Sequence, residues 1–190
     1  MRSRDRGYLR VLLQSYLTVL LAGCLSIEEA PILVRYEPSA PEVVTAMLAL
    51  AQVTEKDTVV DLGCGDGRIP IEAVKRYGAR AVCVDIDPRR IEDARHNAAA
   101  AGVGDRIEFR EQDAMKTDLK GATVVTLFLS PELNLALRPR LENELPAGTR
   151  VVSHWHRMGD WPAEREIKVQ AAGRTSAVFL FRTRGPSLGT

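Results

Sequence analysis

The chain has 190 residues, 45% of them hydrophobic and 27% charged, with a formal net charge of +1. Those numbers suit one globular domain with a proper core and leave little for a second, and the near-neutral balance excludes a global basic field for nucleic acid, though not a local patch. Three cysteines (Cys24, Cys64, Cys83) at irregular spacing make neither a disulfide framework nor a zinc knuckle, so the core is expected to be built without cross-links, as in a reducing compartment.

The N-terminus opens with Arg2, Arg4, Arg6 and Arg10 against Asp5, followed by an apolar run from Val11 to Cys24. A basic n-region, an apolar h-region and small residues before a cysteine read as a secretory signal. "LAGC", Leu21 to Cys24, resembles a bacterial lipobox, which would make Cys24 a lipidated N-terminus. The run is short for a membrane span. An amphipathic helix lying on the domain and a misplaced start codon are the alternatives. Residues 25–40, with two prolines and no period, read as a linker and an approach to the domain.

From Pro41 the apolar spacing of Val43, Val44, Met47, Leu48 and Ala51 predicts a helix, with Pro41 in its first turn. "TVVDLG" predicts a buried strand, and "GRIPIEAVKRYG" a helix ending at Gly78 with Pro70 as an irregularity in its first turn. "ARAVCVDID" predicts the second strand and "PRRIEDARHNAAAAG" the helix after it. "RIEFREQD" and "ATVVTLFLS" predict the third and fourth strands, the latter apolar throughout, as a central parallel strand should be. "PELNLALRPRLENEL" predicts a helix that bends or breaks at Pro139. "TRVVSHWH" is the fifth strand. "EREIKVQ" and "TSAVFLFRT" predict a closing hairpin around "AAGR". The expected fold is a single α/β domain, Rossmann-like and doubly wound, with helices on both faces of a parallel sheet. Its ligand should sit at the carboxyl ends of the strands.

The stretch "VVDLGCGDGR" lies at such a strand end. Gly63, Gly65 and Gly67 allow a sharp turn and a close approach of backbone to a ligand, and the next helix aims its free N–H groups there. The spacing is G-x-G-x-G, not the G-x-G-x-x-G of dinucleotide folds. Asp61 just before it would repel a pyrophosphate and favour a cationic amine. Asp85 ends the second strand 24 residues further on, where a carboxylate accepts hydrogen bonds from ribose hydroxyls. Asp113 ends the third strand, beside the place for a nucleoside base.

Together "VDLGCGDGR", "VDIDP" and "EQDA" resemble the first three motifs of class I S-adenosylmethionine methyltransferases, over about residues 41–182. The resemblance implies a seven-stranded sheet whose last strand is antiparallel. It also implies cofactor-binding roles for Asp61, Leu62, Gly63, Cys64, Gly65 and Gly67 at the methionine moiety. Asp85 would hold the ribose, Ile86 would line one face of the adenine, and Asp113 and Ala114 would lie beside it. A narrower likeness is carried by "DLGCGDGRIPIEAVKRYGA", by Val124 to Trp161 and by "YEPSAPEVVTAML". These resemble prokaryotic relatives of the mitochondrial protein-lysine methyltransferases that modify the adenine nucleotide translocase and the ATP synthase c-subunit. By that likeness Tyr36 to Pro41 would help cover the cofactor, although Glu37-Pro38-Ser39 stands where relatives tend to have a Val-Pro-Thr-like run.

The expected activity is methyl transfer to a protein lysine. Methylation of RNA or a small molecule, and a non-catalytic cofactor-binding module, are the alternatives. In-line transfer from a sulfonium chiefly needs alignment, so few catalytic residues are expected. Ser130, Glu132 and Asn134 follow the fourth strand, where amine methyltransferases often carry an Asn/Asp-Pro-Pro-Tyr loop, but Ser130 equally suits a helix cap. Tyr36, His154, Trp155 and Trp161 are substrate-pocket candidates. His154 and His156 share a strand face but lack a third ligand, so no metal is expected. Cys64 reads as a small loop residue and Cys83 as core. The partition is then 1–24 signal or anchor, 25–40 linker and lid, 41–184 methyltransferase domain and 185–190 tail. Expected partners are a protein substrate, without nucleic acid. The localisation is membrane-associated through the N-terminal segment, or cytoplasmic if that segment is not an export signal.

Overall fold

The computed structural model describes residues 36–186. The signal or anchor segment, Cys24 and most of the linker therefore lie outside the described residues, as do the last four residues of the tail.

Helix α1 (Pro41–Leu50) leads into strand β1 (Thr58–Leu62), and strands and helices then alternate with one exception. The elements are α2 (Arg68–Tyr77), β2 (Arg80–Asp85), α3 (Pro88–Ala100), β3 (Ile107–Glu111), β4 (Val124–Leu127), α4 (Pro131–Glu144) and β5 (Arg150–His154), and no helix intervenes between β3 and β4. The chain closes with β6 (Arg165–Ala171) and β7 (Arg174–Arg182). The helix starts follow local rules. Pro41, Pro88 and Pro131 open three helices, where a missing N–H costs nothing. The Asp87 side chain caps α3 by accepting from Arg89 N at 2.9 Å, and Ser130 caps α4 by accepting from Leu133 N at 3.2 Å.

The seven strands form one sheet in the order β3-β2-β1-β4-β5-β7-β6. Strands β1 to β5 pair in parallel, and β7 runs antiparallel to both β5 and β6. The hairpin between β6 and β7 turns on Ala172 and Gly173, both at positive φ, with Ala171 paired to Arg174. Two central residues at positive φ are the turn that matches strand twist.

The period of two sorts side chains between the faces. Val60, Leu62, Val125, Leu127, Val151 and Phe181 meet Leu133, Leu137, Leu141 and Leu145, the apolar stripe of α4 and the residue after it. On the other face Val59, Val124, Val152, Val178 and Leu180 meet α1, and Ala81, Cys83 and Ile107 meet α2 and α3. At the amino ends of the strands a buried Asp57 gathers three segments. It accepts from Thr54 N at 2.7 Å and Thr123 Oγ1 at 2.7 Å, and it pairs with Arg150, which also donates to Ala51 O at 2.9 Å. Burial alone would raise the Asp57 carboxyl, but the bonds from Arg150, Thr123 and Thr54 outweigh it and hold the group below the usual carboxylate range.

Three expectations are corrected. Of the bend or break expected at Pro139, the break is absent, since α4 runs unbroken from Pro131 to Glu144; the proline removes one donor from the ladder, and Leu135, whose carbonyl loses that partner, is half exposed. Strand β4 stops at Leu127, so Phe128 and Leu129 belong to the loop beyond it. The core does contain a cross-link: Cys64 and Cys83 form a disulfide.

Candidate active site

The carboxyl ends of β1, β2 and β4 open into a continuous cleft. One end is lined by Asp61, Gly63, Gly65, Asp66, Arg68, Asp85, Phe128 and the segment Tyr36–Ser39. The other is lined by Val84, Asp85, Ile86, Gln112, Asp113, Ala114, Leu129 and Leu133. Gly63, Asp85 and Leu129 belong to both. The two parts enclose about 670 and 420 Å³, open mouth included.

The loop from β1 to α2 lies so close to its neighbours that side chains would obstruct it. A Cβ on Gly65, at φ +54°, would sit 2.5 Å from the Tyr36 ring. A Cβ on Gly67, at φ +79°, would sit 2.9 Å from Ala94 Cβ and push α2 off α3. The loop is fastened to β2: Gly63 N and Cys64 N both donate to Val84 O, at 2.8 and 2.9 Å. Gly65 N donates to Asp85 Oδ2 at 2.9 Å. Asp85 Oδ1 accepts from Asp87 N at 3.0 Å, which leaves the partly exposed carboxylate fixed at the middle of the cleft. Asp113 accepts from Met115 N at 2.9 Å and stands beside Ala114, opposite the exposed Ile86.

Asp61 is buried and accepts from Thr126 Oγ1 at 2.6 Å. Burial, added to by the charges of Asp85 and Asp66, pushes its carboxyl up to about 7 despite the Thr126 bond. A buried carboxyl that has no ion-pair partner among the described residues and faces the cleft fits a ligand that brings a positive charge. This combination of a glycine cradle, a cation-seeking carboxyl and a slot between Ile86 and Asp113 fits an amino acid joined to a nucleoside.

The segment before α1 lies over this cleft. The Tyr36 ring covers Gly65, with the Arg90 guanidinium 4.6 Å from its centroid. Burial and then Asp66 push its hydroxyl up. Arg68 bonds Asp66 at 2.6 Å and Ser39 O at 2.6 Å, and Glu37 pairs with Arg174 at 3.1 Å. Ser39 Oγ is 2.9 Å from His154 Nδ1. His154 is buried, its ring centroid 4.0 Å from that of Phe128, and its Nε2 has no hydrogen-bond partner among the described residues. Burial, reinforced by His156 and opposed by Glu37, lowers it to about 4, so it is neutral near pH 7.

The remaining candidates are placed as follows. Leu62 is fully buried beneath the loop. Ser130 caps α4, and Glu132 is exposed, its carboxyl lowered by its own backbone N–H and then by the Ser130 hydroxyl. Asn134 is buried and donates to Ser153 Oγ at 3.1 Å. None of these three lines the cleft. Trp155, 43% exposed at φ +70°, stands at the tip of β5 with Arg174 5.9 Å from its ring centroid. Trp161 does not line this cleft: it is buried, packs 5.3 Å from Phe181 near the amino end of β5, and borders a separate pocket with Arg138 and Arg184. Among the described residues no group of three or more His, Cys, Asp or Glu is placed to hold a metal. Phe128, Leu129, Arg68 and Arg90 were not singled out by motif. Their signal was position alone, at a strand end or in the first turn of a helix beside the loop.

Residues 61–165 match the model of the ANTKMT methyltransferase domain family. A protein-lysine N-methyltransferase of Saccharolobus islandicus (strain REY15A) is 42% identical over 149 residues, 78% of this chain and 92% of that one. The crystal structure of an RNA methyltransferase from Salinibacter ruber, in complex with S-adenosyl-L-homocysteine, is 44% identical with a TM-score of 0.73, covering 81% of this chain and 97% of that one. TrmN from Thermus thermophilus shares the fold, with a TM-score of 0.63 at 23% identity over 74% of this chain and 48% of that one.

Proposed function

The chain belongs to the ANTKMT methyltransferase domain family, and we propose that it transfers methyl groups from S-adenosylmethionine to a lysine side chain of a protein. When bound, that cofactor supplies a methyl group on a cationic sulfonium. The residues that would hold it are those of the cleft. Asp61 receives the α-amino group, the loop from Gly63 to Gly67 cradles the methionine moiety, and Asp85 accepts from the ribose hydroxyls. Ile86, Asp113 and Ala114 border the adenine.

The observation that carries the lysine reading is the near full-length relative named as a protein-lysine N-methyltransferase. The charge of the cleft supports it. Asp61, Asp66, Asp85, Asp87 and Glu37 line the donor end, against Arg68 and Arg90. Arg68 is neutralised by Asp66, so the field favours an approaching ammonium over a phosphate backbone. A lysine must lose its proton before it can attack. Partial desolvation beside Phe128 and the covering segment lowers the amine's pKa there, and the neutral His154 adds no like charge.

One observation favours a second reading, methylation of RNA: the 44% identical structure bears the name RNA methyltransferase. The two separate in one assay. Purified protein is incubated with methyl-labelled S-adenosylmethionine and host extract, and the product is split between ribonuclease and protease. The lysine reading predicts label that survives ribonuclease and is released by protease. Label released by ribonuclease would assign the chain to RNA.

A further inference from the structure

The methyl donor's loop is covalently tied to the neighbouring strand. Cys64 lies between Gly63 and Gly65, and its disulfide partner Cys83 sits on β2 two residues before Asp85, on the same side of the strand. Three hydrogen bonds already hold this loop to β2. The disulfide is the one link in the set that a change of redox conditions can remove. It is buried, with Cys64 5% and Cys83 0% exposed, among Val74, Ile91 and Ala94 beneath the loop. It therefore stiffens the cradle from behind.

We propose that the Cys64–Cys83 disulfide is a reversible modification site that sets the affinity of the donor cleft: oxidised, it holds the loop in the binding conformation, and its reduction loosens the loop and weakens S-adenosylmethionine binding. The inference rests on the donor reading of the cleft. The chemistry is thiol–disulfide exchange. One thiolate of a dithiol reductant attacks a protein sulfur, forming a mixed disulfide and releasing one cysteine thiolate. The second reductant thiolate displaces the other cysteine, and both protein thiolates take up protons. Two electrons pass to the protein, and the reductant ends as its own disulfide. Because both sulfurs are buried, exchange requires the loop to open first, so bound cofactor should slow it.

The physical basis is preorganisation. A loop already held in its bound shape has less entropy to lose when the ligand arrives. The reduced chain keeps the hydrogen bonds from Gly63, Cys64 and Gly65, so binding is weakened rather than abolished.

The test uses the full chain purified without reductant. Peptide mapping after alkylation should find Cys64 and Cys83 linked. Calorimetry with S-adenosylhomocysteine should then show an affinity about 5- to 20-fold weaker after dithiothreitol. The Cys83→Ala variant should bind like the reduced protein and be indifferent to dithiothreitol, while S-adenosylhomocysteine should slow reduction of the wild-type chain. Free thiols at both positions in the air-purified protein, or tight binding that reduction leaves unchanged, would overturn the proposal while leaving the donor reading intact. No binding in either redox state would overturn both.

Discussion

Replacing Asp61 by Asn should stabilise the protein while disabling its donor site, and the gain should grow with pH. In the folded chain burial lifts this carboxyl to about 7, whereas in an unfolded chain it titrates near 4. Between those values the folded state binds the proton and the unfolded state does not, so stability falls as pH rises through the window. The cost of the carboxylate is about 1.5 kcal/mol at pH 5 and about 4 kcal/mol at pH 8, at 1.36 kcal/mol for each tenfold step in acidity. An Asn keeps a carbonyl oxygen for Thr126 and carries no charge. Its advantage over Asp should therefore be about 2.5 kcal/mol larger at pH 8 than at pH 5. At about 2–4 °C per kcal/mol for a chain of this size, the gap in Tm between variant and wild type widens by about 5–10 °C. Thermal unfolding of both proteins at the two pH values measures this directly, since the other titrating groups are shared and, apart from Asp85 and Asp66, whose charges act on Asp61, cancel. The same variant should bind S-adenosylmethionine about 10- to 150-fold more weakly, the loss of a bond to a charged group. A Tm gap that stays constant or shrinks from pH 5 to pH 8 would refute the reasoning.

Asp57 should behave in the opposite sense. Its lowered carboxyl adds stability above the ordinary carboxylate range that is lost as pH falls through its folded value. Asp57→Asn should cost about 3–5 kcal/mol at pH 7 by leaving Arg150 without its partner, and chemical unfolding would show that loss shrinking progressively as pH falls below the ordinary carboxylate range. Leu137→Ala, at a fully buried position of α4, should cost about 2–5 kcal/mol in the same assay while leaving S-adenosylmethionine affinity within about twofold. His154→Ala removes the bond to Ser39. Calorimetry should show donor binding weakened about 2- to 12-fold, the worth of one neutral hydrogen bond, whereas a variant binding as tightly as wild type would mean that the covering segment does not depend on His154.

The strand-end carboxylates were legible because the fold places them. In a parallel sheet the ligand sits at the carboxyl ends of the strands, and the three motif carboxylates fall there, although not all on a last residue: Asp61 is the penultimate residue of β1, Asp85 ends β2, and Asp113, expected to end the third strand, lies two residues beyond β3. The hairpin was legible from alternation interrupted by "AAG". What escaped the sequence depended on the path of the chain between elements. Phe128 and Leu129 continue the apolar run of β4, and nothing local says that the strand stops before them. Trp161 follows "SHWH" closely in sequence, yet the connection carries it to the far end of β5 and against Phe181. The disulfide joins residues 19 apart. It depends on the loop after β1 folding back against β2, and cysteine spacing alone does not encode that. Pro139 obeyed a local rule that the apolar stripe of α4 overrode.

The central claim is that this cleft moves a methyl group to a protein lysine. Its most direct test is to incubate the purified chain with methyl-labelled S-adenosylmethionine and host protein, beside an Asp85→Ala control, and to identify the labelled residue by hydrolysis and mass spectrometry. The account predicts methyl-lysine in a discrete protein and none in the control. Label found on nucleotides or small molecules, or equal label with the Asp85→Ala protein, would contradict it.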